Sequence, residues 1–279
     1  MPPILKSVLK IVVVLAVIVI SFTYNRMIGV AMMVLIVGYF VYTNRSTLYA
    51  QRGNLAYMRG DRDKALLLME KAYRTKSIQP NHQIGYGYLL MKIGDLSKAE
   101  NMFDEVLHKS KARDMIMQAK INLATVYWLQ NKRDEAYFSL EKVSQEVKST
   151  LVYGNFGYFQ ILRGELEEAL AYNLEAYAFN DNDLTIMDNL AQNYYLLGRL
   201  DEADEMYTKL MAKAPKHAES YYYYARTLQK LGRKQEAREQ IEKALEKELA
   251  LITPLIKEDI ELLARELGQV EDGHVPCER

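Results

Sequence analysis

Cysteine is nearly absent from this chain: Cys277 is the only one in 279 residues. A single thiol closes no internal disulfide and completes no zinc site, so neither staples the fold. Histidine is scarce too, and His82, His108, His217 and His274 stand in no metal-binding spacing. Tryptophan occurs once, as Trp128. Charge of one sign is not in surplus, with 36 bases against 36 acids. Without a clustered basic excess, the chain lacks the electrostatic footprint of a nucleic-acid binder. Catalytic constellations are missing as well. Gly85-Tyr86-Gly87 is half of a nucleotide loop, but it lies in a helical stretch with no strand before it. Asp61-Arg62-Asp63 begins like a calcium loop and lacks the later ligands. Asp201, Glu202, Asp204 and Glu205 read as a solvated helix start. The expectation is a protein that is not an enzyme and uses no cofactor or metal.

What the sequence has in excess is apolar length near its beginning. Residues 11–22 are apolar apart from Ser21, and residues 27–42 contain no charge. One helix through both runs would be about 48 Å long at about 1.5 Å per residue, against a hydrocarbon core of about 30 Å. It would also bring Arg26 near mid-bilayer, which is costly. Two short transmembrane helices over residues 1–44, turning at Thr23–Arg26, fit better. No small-x-small cleavage site follows the first run, and a second run comes at once, so a removed signal peptide fits less well. Lys6 and Lys10 flank one end, and Arg45, Arg52, Arg59, Arg62 and Lys64 the other. The positive-inside rule puts both ends in the cytoplasm, giving a multi-pass cell-membrane protein with its remaining domain on the cytoplasmic side.

Past residue 45 a short phrase recurs. It reads Gly60-Asp61-Arg62-Asp63-Lys64-Ala65 at its first appearance and Gly94-Asp95-Leu96-Ser97-Lys98-Ala99 at its second. Its other alanines are Ala136, Ala169, Ala203 and Ala237, and the successive steps are 34, 37, 33, 34 and 34 residues. Glycine (Asn131 once) ends one helix in the left-handed conformation, and acids after it suit the positive end of the next. The alanine allows close packing against a partner helix, whose own small residue is Gly53, Gly87, Ala124, Gly157, Ala191 or Ala225. The step of 37 implies extra residues near Ser110–Met115.

This pattern resembles the tetratricopeptide repeat family, whose unit is a 34-residue helix–turn–helix. The family's tryptophan near the start of each unit is absent, and Tyr49, Tyr153 and Tyr221 replace some of them. The resemblance implies an all-α, right-handed superhelical solenoid of about six units over residues 45–250. A capping helix follows within residues 251–268 (Leu255–Leu267), as an open solenoid end requires, and residues 269–279 form a disordered tail. It also implies an inner groove, lined by the first helix of each unit, that holds an extended peptide or a partner helix. Projected onto the repeat, the protein-binding candidates are Asn54, Tyr57, Tyr88, Trp128, Tyr158, Gln192, Tyr195, Tyr222 and Arg226. Polar-tipped aromatics suit such a surface, and equally suit packing between helices. Asn122, Asn155 and Asn189 could bond a peptide backbone or a neighbouring helix. The function expected is a membrane-tethered interaction scaffold or adaptor. The alternative is a self-associating structural subunit of a membrane assembly.

Overall fold

Each recurring phrase stops one helix and starts another. Gly60, Gly94, Gly164, Gly198 and Gly232 take φ between +76 and +88°, a region that costs a residue with a Cβ dearly. Asn131 fills the same position at φ 63°, as the next most tolerant residue there. Just past the turn, the carboxylates of Asp61 and Asp95 accept hydrogen bonds from the main-chain N–H of Lys64 and Lys98, capping the following helices.

The computed structural model describes residues 3–75 and 77–268, without side chains for residues 3–11. The expected tail at 269–279, with Cys277 and His274, lies outside the described residues, as do the side chains of Lys6 and Lys10. Among the described residues there are fifteen helices and no strand. Two units divide the chain, residues 1–90 and 91–279.

The first unit contains α1 (Pro3–Tyr24), α2 (Arg26–Thr43), α3 (Arg45–Met58) and α4 (Arg62–Arg74), and α5 (Pro80–Lys92) runs across its boundary. Helices α1 and α2 pack side by side about a single-residue turn, where Asn25 Oδ1 accepts from Met27 N–H at 2.8 Å. The Phe22 ring lies so close to Gly29 that a Cβ there would come within 2.5 Å of it. The other faces are apolar and open: Val13, Leu15, Ile20, Val34, Leu35 and Phe40 are each more than half exposed. Of the described helices, Arg26–Thr43 alone is long and apolar enough to cross a membrane, and Val12–Tyr24 is a shorter apolar stretch.

The second unit contains α6 (Leu96–Lys109), α7 (Arg113–Leu129), α8 (Arg133–Glu146), α9 (Thr150–Arg163) and α10 (Leu166–Phe179). It continues through α11 (Leu184–Leu196), α12 (Leu200–Met211), α13 (Ala218–Lys230), α14 (Lys234–Leu245) and α15 (Lys257–Gly268). The residues added by the 37-residue step are absorbed as an extra turn of α7, which has 17 residues where α9 has 14 and α11 and α13 have 13. The last helix begins at Lys257, two residues later than the apolar pattern implies. Asp259 Oδ2 accepts from Ile256 N–H at 2.9 Å and fixes the start there. Its Ile260, Leu263 and Leu267 are buried against the end of the array, and α15 packs on α14.

The six phrase alanines, Ala65, Ala99, Ala136, Ala169, Ala203 and Ala237, all have 0% exposure. With no room beyond a methyl group, Ala203→Leu is expected to cost about 1–3 kcal/mol by overpacking. Because stacked pairs touch mainly their neighbours, hydrogen exchange should rise first around α11–α13. Equal loss of protection over α6–α15 would contradict that.

Candidate protein-binding groove

Helix α11 packs directly on both α9 and α13, so the first helices of the last three pairs form one surface. Tyrosine dominates it. Tyr195 of α11 lies 5.6 Å, ring to ring, from Tyr223 of α13, and Tyr222 meets Tyr223 edge-on at 5.3 Å. Arg226 Nε donates to the Tyr195 hydroxyl at 3.4 Å, and Lys230 Nζ stands 4.3 Å above the Tyr195 ring. Two acids lie within the same surface. Asp188 Oδ2 accepts from Ser220 Oγ at 2.9 Å. Glu219 is only 6% exposed, and its Oε2 has no hydrogen-bond partner among the described residues.

Residues 246–256, between α14 and α15, cross this surface as a non-helical strap. Ala218 N–H donates to Glu248 C=O at 3.1 Å. Ala250 N–H donates to Glu219 Oε1 at 2.8 Å. The Tyr158 hydroxyl, on α9, donates to Ile252 C=O at 3.1 Å. The Tyr158 hydroxyl also bonds the Thr253 side chain, and burial is the main reason its pKa is pushed far above the usual phenol range. The Ile252 side chain packs on the apolar cluster of α7–α9, Leu249 on that of α10–α15, and Leu255 is buried within the latter. The strap is thus held by a carboxylate on its main-chain N–H, a phenol on its C=O, and aliphatic side chains in apolar seats.

The sequence candidates divide between the two units. Asn54 and Tyr57 are exposed on α3 and Tyr88 is half-buried on α5. Trp128 is half-buried, edge-on to Phe159 at 5.2 Å, with the Arg133 guanidinium 4.9 Å over its ring. Tyr158, Tyr222 and Arg226 are half-buried on the shared surface, and Arg226 faces Glu266 of α15 at 4.0 Å. Gln192 and Tyr195 offer almost no free surface, at 4% and 7% exposure. Side chains of α13 cover them: Tyr223 bonds the Gln192 side chain and its ring lies tilted beside that of Tyr195, which Arg226 and Lys230 also contact. The asparagines bond their own array. Asn189 Nδ2 donates to Gly154 C=O at 2.7 Å, while Asn122 and Asn155 donate to carbonyls four residues back, Gln118 and Leu151. Sequence reasoning missed Glu219 and Ile252. Glu219 reads as an ordinary acid in a helix's first turn. Leu249, Ile252 and Leu255 stand three apart, a spacing that a helix face also shows, so only Pro254 signalled a break from helix there.

Residues 184–247 match the family model of the tetratricopeptide repeat. A TPR repeat-containing protein of Methanocaldococcus jannaschii is 27% identical over 177 residues, which are 60% of this chain and 31% of that protein. This chain therefore spans less than a third of that relative. Among solved structures, a tetratricopeptide repeat protein from Parabacteroides merdae superposes with a TM-score of 0.64 at 15% identity, covering 91% of this chain and 98% of its own. Pseudomonas aeruginosa PilF gives 0.57 at 16% identity, with 80% and 96% covered. The fold is a helical solenoid of tetratricopeptide type, a kind of array that generally mediates contacts between proteins.

Asp188 makes a pH dependence testable. Burial raises its carboxyl to about 7, against the Ser220 hydrogen bond and with the help of the Glu219 charge. Below about pH 4 the group is protonated whether folded or unfolded. Between about pH 4 and 7 the unfolded chain releases the proton that the folded one keeps, so stability falls with rising pH, by a few kcal/mol in all. Asp188→Asn is expected to flatten that fall, read as urea midpoints at pH 4.5 and 7.5. The same midpoint difference in wild type and variant would refute the assignment.

Proposed function

We propose that this protein is a non-catalytic, membrane-tethered adaptor whose helical array binds extended segments of other proteins. One observation carries the reading: a non-helical stretch of polypeptide lies across α9 and α13, bonded through its main chain to Tyr158 and Glu219. Main-chain recognition of this sort accepts many sequences, and the apolar seats beside it add selectivity. Tyrosines with wet tips and apolar rings suit a surface that must release what it binds.

The open apolar faces of α1 and α2 support the tether. The charge pattern around them supports a cytoplasmic array, as a multi-pass protein of the cell membrane with two helices crossing. Confinement to a membrane raises the local concentration of any membrane-associated partner, so weak groove binding suffices. The alternative, a subunit that self-associates, draws on exposed apolar residues of the second helices, Phe138 and Leu174.

Photo-crosslinking separates the two. Benzoylphenylalanine in place of Tyr222 is expected to trap a different protein, and in place of Phe138 little. Self-crosslinking from the Phe138 position, with nothing trapped at 222, would favour the assembly reading. The tether has its own measurements. A chain lacking residues 1–44 should leave the membrane in a carbonate wash, and its retention there would show that the tether lies elsewhere. In intact cells Cys277 should resist an impermeant maleimide and react after lysis; labelling without lysis would reverse the orientation.

A further inference from the structure

The strap is longer than its place in the chain requires. From α3 onward, every other connection between consecutive helices has six residues or fewer, while residues 246–256 separate α14 from α15. Helix–helix connections usually run about 2–8 residues, and longer ones tend to be functional. Nor does distance explain it, since α15 packs directly on α14. Between those neighbours the chain leaves the last pair, reaches Tyr158 two pairs back, and returns.

The hold on this excursion is light. Glu248 and Ala250 bond at the start of α13 and Ile252 bonds Tyr158, yet the side chains of residues 249–253 are only half-buried and Pro254 is exposed. Firm burial resumes on either side, at Ala244 and Leu255. Beside the strap, Glu219 is a buried acid whose Oε1 takes the Ala250 N–H and whose Oε2 takes no donor among the described residues. A buried carboxylate oxygen is a strong acceptor for a main-chain N–H laid against it.

We propose that residues 249–255 are an internal ligand of the groove, displaced by a partner carrying a non-helical, uncharged segment with aliphatic residues three apart. This rests on the adaptor reading above and names its partner class. Leu249, Ile252 and Leu255 give the spacing, and Ala250, Leu251, Thr253 and Pro254 between them carry no charge. Tethering keeps the internal copy at a high effective concentration, so a partner's apparent affinity is reduced by the fraction of time the groove is closed.

The experiment uses the full chain in mild detergent and a fluorescein-labelled peptide with the sequence of residues 246–256, followed by anisotropy. Ile252→Asp, which puts a charge into the strap's apolar seat, is expected to bind the peptide at least tenfold more tightly than wild type. Adding Glu219→Gln should weaken that binding severalfold. No peptide binding to a folded Ile252→Asp chain would overturn the proposal and make the strap a fixed part of the cap. If that variant does not fold, Tyr158→Phe removes only the hydroxyl. Amide exchange at residues 249–253 should then rise about fivefold while α15 stays protected, and unchanged exchange would overturn the proposal. The two readings fail differently. A foreign segment that binds wild type and Ile252→Asp equally, with the trans peptide binding neither, retains the adaptor and removes the strap. A trans peptide that binds Ile252→Asp, where no foreign segment does, retains the strap and removes the adaptor.

Discussion

How closely two helices of a pair approach is set by a single atom, the methyl group of the alanine that follows each turn. All six such alanines are fully enclosed. At that separation the larger residues on either side reach across to the next pair: Met206, Tyr207 and Leu210 of α12 join one cluster with Leu228 of α13 and Ile241 of α14. Each pair buries only part of its apolar surface by itself, and stacking buries the rest. A wider crossing would open gaps along all of these contacts, and dispersion falls off within a fraction of an ångström. The glycine and asparagine turns serve the same end, because they fix where each helix stops and so which residue meets the alanine.

This economy leaves the first helices with an unusual load of polar groups. Asp188, Gln192, Glu219 and the tyrosine hydroxyls lie where an ordinary core would be hydrocarbon. Buried polar groups are tolerated when paired, and most of these are paired with one another. Glu219 and Tyr158 are the exceptions, since each takes its partner from the strap and not from the helices.

The local grammar was readable from sequence alone. Asn131 in the left-handed turn, the enclosed alanines and the break between α1 and α2 follow from short patterns whose causes lie within a few residues. The groove was less so. Tyr195 and Gln192 occupy positions that the repeat assigns to open surface, and they are covered by Tyr223, Arg226 and Lys230 of α13. The bond between Tyr158 and Ile252 joins residues 94 apart in the chain. No periodicity announces such a contact, since only one unit of the array takes part and the other partner lies outside the repeats. Asn189 was ambiguous for a related reason: an amide bonds either a ligand or a neighbour, and only the position of Gly154 decides which.

One junction differs from the rest. Asn173 and Asn193, both with no exposed surface, are bonded side chain to side chain at 3.2 Å, and Asn193 also donates to Leu166 C=O at 2.9 Å. The Asn173 oxygen lies so near Gly157 that a Cβ there would come within 2.1 Å of it. Helices α9, α10 and α11 are therefore keyed to one another by buried polar groups bonded across their junction. Repeat arrays change length by gaining or losing whole units, which is harmless where an apolar face meets another much like it. Here a new unit inserted between α10 and α11 would strand two buried amides, each at about 1–3 kcal/mol. Duplication and deletion in this lineage should therefore have their breakpoints elsewhere, leaving α9–α11 to be inherited as one block.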